Sequence, residues 1–204
     1  NENTGDTATY TISLAAQPTK NVVVTLKTTD ASELALESAG TVTFTPENWN
    51  TPVEVKVKSV DDLLTDGNQK ANISMVAASD DENFNGISAM SPDYVIVDNE
   101  QASVVVLAEN TTIRPGENNA TVKVSLATQP TANVTVTFVS SDPSTANIAQ
   151  TLTFTPSNWN QPQVVTVDND GCKTAQVDVT ISLKSSSTCA SYNDLKIDDV
   201  KLTV

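Results

Sequence analysis

The stretch Thr43–Pro52, TFTPENWNTP, recurs 110 residues later as Thr153–Pro162, TFTPSNWNQP. A second pair lies upstream of it: Ala8–Thr19, ATYTISLAAQPT, returns 112 residues later as Ala120–Thr131, ATVKVSLATQPT. Self-similarity at a nearly constant offset is the signature of homologous tandem units. The sequence therefore predicts two domains, which we place at residues 1–99 and 100–204.

Short segments in which apolar and polar residues alternate lie around these landmarks, for example Asn21–Lys27 and Val53–Lys58. A period of two indicates strands with one solvated face. The 204 residues include 29 Thr and 26 Val, and such β-branched residues favour a pleated, half-buried surface. Because turn dipeptides such as Gln17-Pro18 and Asp66-Gly67 separate the segments, we predict an all-β fold of two antiparallel sandwiches.

The two copies differ at their ends. The second copy opens with the apolar segment Gln101–Ala108, which has no counterpart before the first copy, and the first copy closes with the acidic stretch Val97–Glu100, which the second does not reach. We interpret the first domain as missing its first strand and the second as missing its closing acidic junction. The pattern predicts a segment of a longer tandem array.

The order of these motifs resembles that of Calx-β repeats, as found in tandem in large secreted and cell-surface proteins. The motifs that carry the resemblance are Glu2-Asn3, Gln17–Thr19, Thr43–Asn50, Val60–Asp62, Asp66-Gly67, Phe84–Gly86 and Val97–Asn99. The resemblance implies an immunoglobulin-like sandwich of roughly seven strands in each domain. It also implies Ca²⁺ bound by acidic loops at one end of the sandwich.

Carried over residue by residue, the resemblance implies a calcium site in the first domain, with the ligands Glu2, Asp30, Asp61, Asp62, Asp66 and Asp98. Calcium requires about six to eight oxygens, so several loops must converge. The alternative interpretation is that these are solvated loop acids. The second copy keeps Glu109, Asp142, Asp168 and Asp170, but Lys173 and a shorter loop replace the Asp66 region. A full site is not expected there.

The charge balance excludes several classes of function. With 11 Lys+Arg against 25 Asp+Glu, the net charge is −14, so we expect no nucleic-acid partner, because such partners are held by clustered cations. The absence of histidine removes the commonest general base and the commonest zinc ligand, and we predict that the chain is not an enzyme. The longest apolar run, Val104–Ala108, is too short to span a bilayer, so no direct membrane insertion is predicted.

Cys172 and Cys189 are predicted to be oxidised, either as a disulfide with each other or as cross-links to neighbouring chains or domains. Glycosylation sequons occur at Asn72, Asn110, Asn119 and Asn133. Their number is close to that expected by chance, so they do not indicate a compartment.

Phe44, Trp49, Phe154 and Trp159 recur at equivalent positions, and we predict that all four are largely buried. For the tryptophans, carbohydrate stacking is the alternative. We expect a non-enzymatic spacer of a larger extracellular or cell-surface protein, adhesive or filamentous, with neighbouring domains or other copies in a filament as partners. One rival is a glycan- or protein-binding module that uses loops at one sandwich end, and another is calcium-regulated switching of domain orientation.

Overall fold

The structure is a computed structural model that describes residues 1–2, 4–113, 119–148, 150–169 and 176–204. The chain divides into two compact units. Residues 1–62 and 67–99 form the first unit, and residues 63–66 and 100–204 form the second. Both are built from antiparallel β-sheets, which confirms the predicted all-β, sandwich-type fold. No helix among the described residues is long and apolar enough to cross a membrane.

In the part of the first unit that the structure describes, nine strands form three sheets. Their orders are β1-β5-β3, β4-β2-β7-β8 and β6-β9. The strands are β1 (Thr7–Ile12), β2 (Val22–Thr28), β3 (Leu34–Leu36), β4 (Thr41–Phe44), β5 (Val53–Ser59), β6 (Gln69–Ala71), β7 (Ile73–Ser79), β8 (Ser88–Met90) and β9 (Tyr94–Ile96).

In the second unit the described strands form two four-stranded sheets, and the opening strand β10 has no counterpart among those of the first unit. These sheets have the orders β10-β11-β15-β13 and β14-β12-β16-β17. The strands are β10 (Val104–Glu109), β11 (Ala120–Leu126), β12 (Val134–Ser140), β13 (Ala146–Asn147), β14 (Thr151–Phe154), β15 (Gln163–Asn169), β16 (Asp178–Ser187) and β17 (Val200–Thr203), with a 3-10 turn at Ala190–Tyr192 between the last two.

Each unit has its own hydrophobic core, because alternation directs every second side chain of a strand inward. In β12, Val134, Val136 and Phe138 are buried, whereas Thr137 and Val139 between and beyond them are exposed. Phe44 and Phe154 are 1% and 0% exposed, which confirms the prediction for the two phenylalanines. Full burial of an apolar side chain of this size stabilises the folded state by about 1.5–3 kcal/mol.

The prediction that Trp49 and Trp159 are largely buried holds less fully than for the phenylalanines: both side chains are partly buried, and Trp159 packs against the second core. Each lies in the turn after a strand. The backbone carbonyl of Trp49 accepts a hydrogen bond from the Leu14 N–H (2.9 Å), and that of Trp159 accepts one from the Leu126 N–H (2.8 Å). The repeated position therefore fixes a turn through its backbone.

The asparagine before each tryptophan explains the rest of the repeated motif. The Oδ1 atom of Asn48 accepts a hydrogen bond from the Thr45 N–H, and that of Asn158 accepts one from the Thr155 N–H, both at 2.6 Å. A short amide side chain that binds backbone three residues earlier is typical of a tight turn. The same side-chain cap thus closes the strand in both units.

The segment Leu63–Asp66 belongs to the second unit, although its sequence lies in the first repeat. Leu64 forms a parallel bridge with Gln129, the Thr65 N–H donates to the Gln129 carbonyl (3.1 Å), and the Gln129 N–H donates to the Leu63 carbonyl (2.7 Å). The Thr65 side chain is 6% exposed, and its hydroxyl bonds the hydroxyl of Thr128. The segment therefore pairs with the backbone of the second unit, and Thr65 is its buried residue.

Candidate metal site

Two predicted ligands, Glu2 and Asp62, come together in the first unit. One carboxylate oxygen of Glu2 lies within 4.8 Å of one of Asp62. Glu2 is 3% exposed, its N–H donates to the Val97 carbonyl (3.3 Å), and its own carbonyl accepts a hydrogen bond from the Gly5 N–H (2.8 Å). Asp62 follows shortly after the end of β5. The strand and the anchored turn thus place the two acids side by side.

Two carboxylates at this distance favour a hard cation, because oxygen ligands of this kind are what calcium prefers. Without a cation the two negative charges repel each other, and burial of Glu2 increases the free-energy cost of keeping both carboxylates ionised. Among the described residues of the first unit, no further acidic, Cys or His side chain joins both carboxylates at the same distance. The pair supplies the beginning of a coordination shell, and carbonyl or water oxygens would have to complete it.

Asp61 lies nearby in a surface depression that also involves Glu2, Lys58 and Ser59. Its side chain is exposed, so it is free to turn toward a bound ion at the protein surface. Lys58 lies in the same depression, and its positive charge repels a metal cation that enters it. The depression therefore contains both an additional oxygen donor and a competing cation.

The Asp30 carboxylate has a different role in the structure. Its Oδ1 atom accepts hydrogen bonds from the N–H (3.0 Å) and the hydroxyl of Ser32. These bonds lower the pKa of Asp30 below its ordinary value, and the Ser32 hydroxyl makes the largest contribution. The Asp30 carbonyl also accepts the Leu34 N–H (3.0 Å), so Asp30 closes a turn before β3. We describe it as a turn residue.

The last two predicted ligands, Asp66 and Asp98, do not belong to the close carboxylate group that contains Glu2 and Asp62. The Oδ2 atom of Asp98 accepts a hydrogen bond from the Gly67 N–H (2.6 Å), and the Asp98 N–H donates to Oδ1 of Asn68 (3.2 Å). Asp66 is exposed and ends the segment Leu63–Asp66 of the second unit. The structure thus brings together Glu2 and Asp62, with Asp61 nearby, out of the six predicted ligands.

In the second copy the predicted acids bind protein groups. Glu109 forms a salt bridge with Lys123 (2.8 Å), and Asp168 accepts a hydrogen bond from the Asn119 side chain (2.9 Å). Asp142 accepts hydrogen bonds from the hydroxyls of Ser144 and Thr145, both at 2.6 Å. Asp170 and Lys173 lie outside the described residues.

Cys189 is 4% exposed, and no disulfide within the described chain includes it. Its predicted partner, Cys172, lies outside the described residues, so the pairing stays a prediction. Burial raises the pKa of the Cys189 thiol, but hydrogen bonds from the Thr131 hydroxyl and N–H, with backbone bonds from Ser191 and Tyr192, outweigh burial and lower that pKa overall.

The four sequons occupy different environments. Asn110 and Asn133 are exposed, whereas Asn72 and Asn119 are partly buried. The Asn72 side-chain amide donates to Asp93 (3.0 Å), and that of Asn119 donates to Asp168 (2.9 Å). Attachment of a glycan at either of these two would have to break a hydrogen bond first.

Sequence reasoning missed Asp81, a 6% exposed acid of the first unit. Its Oδ2 atom accepts hydrogen bonds from the Thr19 N–H (2.7 Å) and hydroxyl (2.8 Å). The N–H of Asn83 donates to its Oδ1 atom (3.1 Å). These bonds lower the pKa of Asp81, chiefly through the Thr19 N–H. The repeat alignment could have pointed to Asp81, because it places Asp81 opposite Cys189, a residue that the sequence analysis singled out.

No family model and no curated protein matches the chain. Among solved structures, the chain is similar to CBD12 from CALX1.2, with 11% identity over 91% of this chain and 78% of that one, at a TM-score of 0.34. A Porphyromonas gingivalis W83 protein of unknown function is 12% identical over 97% and 90%, at a TM-score of 0.32. The C-terminal domain of the Streptococcus pyogenes antigen I/II-family protein AspA is 8% identical over 90% and 84%, at a TM-score of 0.29. Likenesses this weak assign the chain neither a family nor an activity.

Proposed function

We propose that this chain is a non-enzymatic structural module of the Calx-β type that spaces parts of a larger extracellular or cell-surface protein, adhesive or filamentous. The observation that carries the proposal is the segment Leu63–Asp66, which leaves the first unit and is built into the second. The polypeptide therefore passes between the units at residues 62–63, 66–67 and 99–100. As part of the proposal, we expect three connections of this kind to limit independent motion, in contrast to a single flexible linker.

The two separate cores support the same proposal. Each unit buries its own apolar residues, so it can resist unfolding on its own. Neighbouring domains of the same polypeptide, and other copies in a filament, are the partners that such a module would have. An extracellular location is part of the proposal, and mass spectrometry of unreduced protein from its native source tests it. Oxidised Cys172 and Cys189 support it, and two free thiols count against it.

Calcium is the proposed stiffening ligand of the first unit. A bound ion would replace the repulsion between Glu2 and Asp62 by attraction to both, with Asp61 as an additional ligand. Because an ion that binds only the folded state stabilises it, the melting temperature of the first unit should rise with calcium concentration. The support for this proposal is the close approach of two carboxylates, one of them almost fully buried.

Calorimetric titration and thermal unfolding of the whole chain test the calcium proposal. We expect heat of binding and a rise in melting temperature at millimolar calcium, and we expect Asp62→Asn to lose both. Asp30→Asn is the matched control, since Asp30 closes a turn away from the pair and its loss should leave the calcium response unchanged. If the unaltered chain shows neither heat nor a change in melting, the proposed calcium role is wrong.

A binding module for glycan or protein is the second candidate. The observation that favours it is the partial exposure of Trp49 and Trp159 at repeated turns. Exposed indole rings can stack on sugars, and aromatic side chains are common anchors at protein interfaces. A glycan array with the whole chain, repeated with Trp49→Leu and Trp159→Leu, distinguishes the two candidates. Dose-dependent binding to a glycan, lost in each of the two variants, would favour the binding module over the spacer.

A further inference from the structure

The strand β1 lies at the edge of its three-stranded sheet and pairs with β5 alone in the described chain. Its outward residues, such as Thr9 and Thr11, are exposed. Its inward residues, together with Leu14 just beyond the strand, are only partly buried although they face the first core: Ala8, Tyr10, Ile12 and Leu14. An edge strand with a half-covered apolar face offers both unpaired backbone groups and apolar contact area.

The second repeat shows what covers this face. The equivalents of the four residues are Ala120, Val122, Val124 and Leu126, and their exposures are 0%, 0%, 0% and 2%. The difference coincides with β10, which pairs antiparallel with β11 along its whole length. Val104 lies opposite Leu126, Val106 opposite Val124 and Ala108 opposite Val122, and these three residues of β10 pack against the second core.

A groove remains open in the first unit beside the same edge. It has a volume of about 460 Å³, and its lining includes Ile12, Leu14, Phe44, Met75, Phe84 and Ile87. Ile87 is 51% exposed although it lies beside core residues. The Tyr10 hydroxyl on the same strand is buried without a hydrogen-bond partner among the described residues. An apolar groove along an unpaired strand has the shape of a site for an added strand.

We propose that the free edge of β1 binds an extended peptide strand, antiparallel, in the register that β10 takes on β11. The occupant is a strand with the alternation of β10: apolar residues of moderate size opposite Leu14, Ile12 and Tyr10, and no charge between them. Backbone hydrogen bonds to β1 supply part of the affinity, and the inward side chains close the groove. The interface between β10 and β11 is thus repeated in the first unit, with the bound peptide as the added strand.

The probe is a synthetic peptide with the sequence of residues 101–110, QASVVVLAEN, added to the whole isotope-labelled chain. We expect shifts of the β1 and Leu14 amides by NMR, and at least tenfold slower hydrogen exchange in β1. A peptide of equal length and charge, with Val104→Asn and Val106→Asn, is the matched control and should bind at least tenfold more weakly. In the protein, Leu14→Thr should weaken binding of the first peptide, and Thr9→Ser on the outward face should leave it unchanged.

Three results would overturn the proposal. One is the absence of any change in β1 at millimolar peptide, and another is equal binding of the two peptides. The third is pairing of β1 with β1 of a second copy, seen as dimerisation in sedimentation and as shifts of the β1 amides on concentration without peptide.

Discussion

Cys189 occupies in the second unit the position that Asp81 holds in the first. The Asp81 N–H donates to the Ser79 hydroxyl (3.0 Å), and the Cys189 N–H donates to the Ser187 hydroxyl (2.9 Å). The Asp81 carbonyl accepts the Phe84 N–H (2.9 Å), and the Cys189 carbonyl accepts the Tyr192 N–H (3.1 Å). A threonine of the Gln-Pro-Thr motif bonds each side chain, Thr19 in the first unit and Thr131 in the second. One loop thus holds a carboxylate in one repeat and a thiol in the other.

The first prediction concerns the pH dependence of Asp81. Because hydrogen bonds lower its pKa in the folded state, its ionised form stabilises the first unit above the ordinary value of 3.8, and this contribution is lost as pH falls through the lowered pKa. Asp81→Asn should therefore lower the melting temperature of the first unit at pH 7, and the difference should shrink toward pH 2. A difference that stays constant over this range would contradict the assignment.

Cys189→Asp is the reciprocal prediction. The Thr131 hydroxyl and N–H, which already bond the thiol, should donate hydrogen bonds to the new carboxylate. The second unit should therefore stay folded at pH 7, and it should unfold more readily in acid than in the unaltered chain. Cys189→Leu is the control, because its apolar side chain cannot use these donors. Unfolding of the second unit by Cys189→Asp at pH 7 would show that the two loops are not equivalent.

Two tyrosines should respond in opposite ways to loss of the hydroxyl. Tyr192→Phe should cost the second unit about 1–1.5 kcal/mol, because the hydroxyl donates to the Thr128 carbonyl (2.8 Å) and is fully buried. Tyr10→Phe should leave stability unchanged or raise it, because no group among the described residues bonds the Tyr10 hydroxyl. Denaturant unfolding of both variants checks the contrast, and an equal loss in both would contradict it.

The same Tyr10 hydroxyl should ionise at a higher pH than that of an ordinary tyrosine. Burial, with a smaller contribution from Tyr94, raises the pKa of Tyr10 from 10.0 to about 12. Since the folded pKa is the higher one, the contribution of Tyr10 to stability is complete below pH 10 and is lost as pH rises through about 12. Difference absorbance of tyrosinate in the chain and in Tyr10→Phe measures this titration. A Tyr10 that ionises near 10 would show that the hydroxyl is solvated.

A substitution in the first repeat should weaken the second unit. Thr65→Val removes the buried hydroxyl that bonds Thr128, and we expect it to cost the second unit about 1 kcal/mol. Hydrogen exchange of the β11 and β16 amides reports this loss. Thr43→Val on an exposed strand face is the control and should leave both units unchanged. An effect of Thr65→Val confined to amides of the first unit would contradict the placement of this segment.

Lys58 should limit the affinity of the candidate calcium site. Its side chain lies in the depression with Glu2 and Asp61, so Lys58→Met should strengthen calcium binding by lowering repulsion of the ion. Lys56→Met on the same strand is the control for loss of one positive charge from the chain. Equal effects of the two substitutions would show that net charge alone determines calcium affinity.

The fold could be predicted from the sequence because the repeat and the period-two alternation are local signals. The tryptophans are less deeply buried than the phenylalanines because each lies in a turn after a strand, where the backbone carbonyl of Trp49, for example, accepts the Leu14 N–H. Asp30 illustrates the limit for ligands: the spacing to Ser32 already favours a side-chain-capped turn. The place of Leu63–Asp66 in the second unit could not be predicted, because pairing of Leu64 with Gln129 depends on contacts that no local pattern encodes.

The spacer proposal depends most on restricted motion between the units, and ¹⁵N relaxation of the whole chain measures that motion directly. The proposal predicts one common rotational correlation time for the strand amides of both units, with Leu63–Asp66 as well ordered as β11. Two shorter, separate correlation times, each that of a domain half the size of the chain, would contradict it.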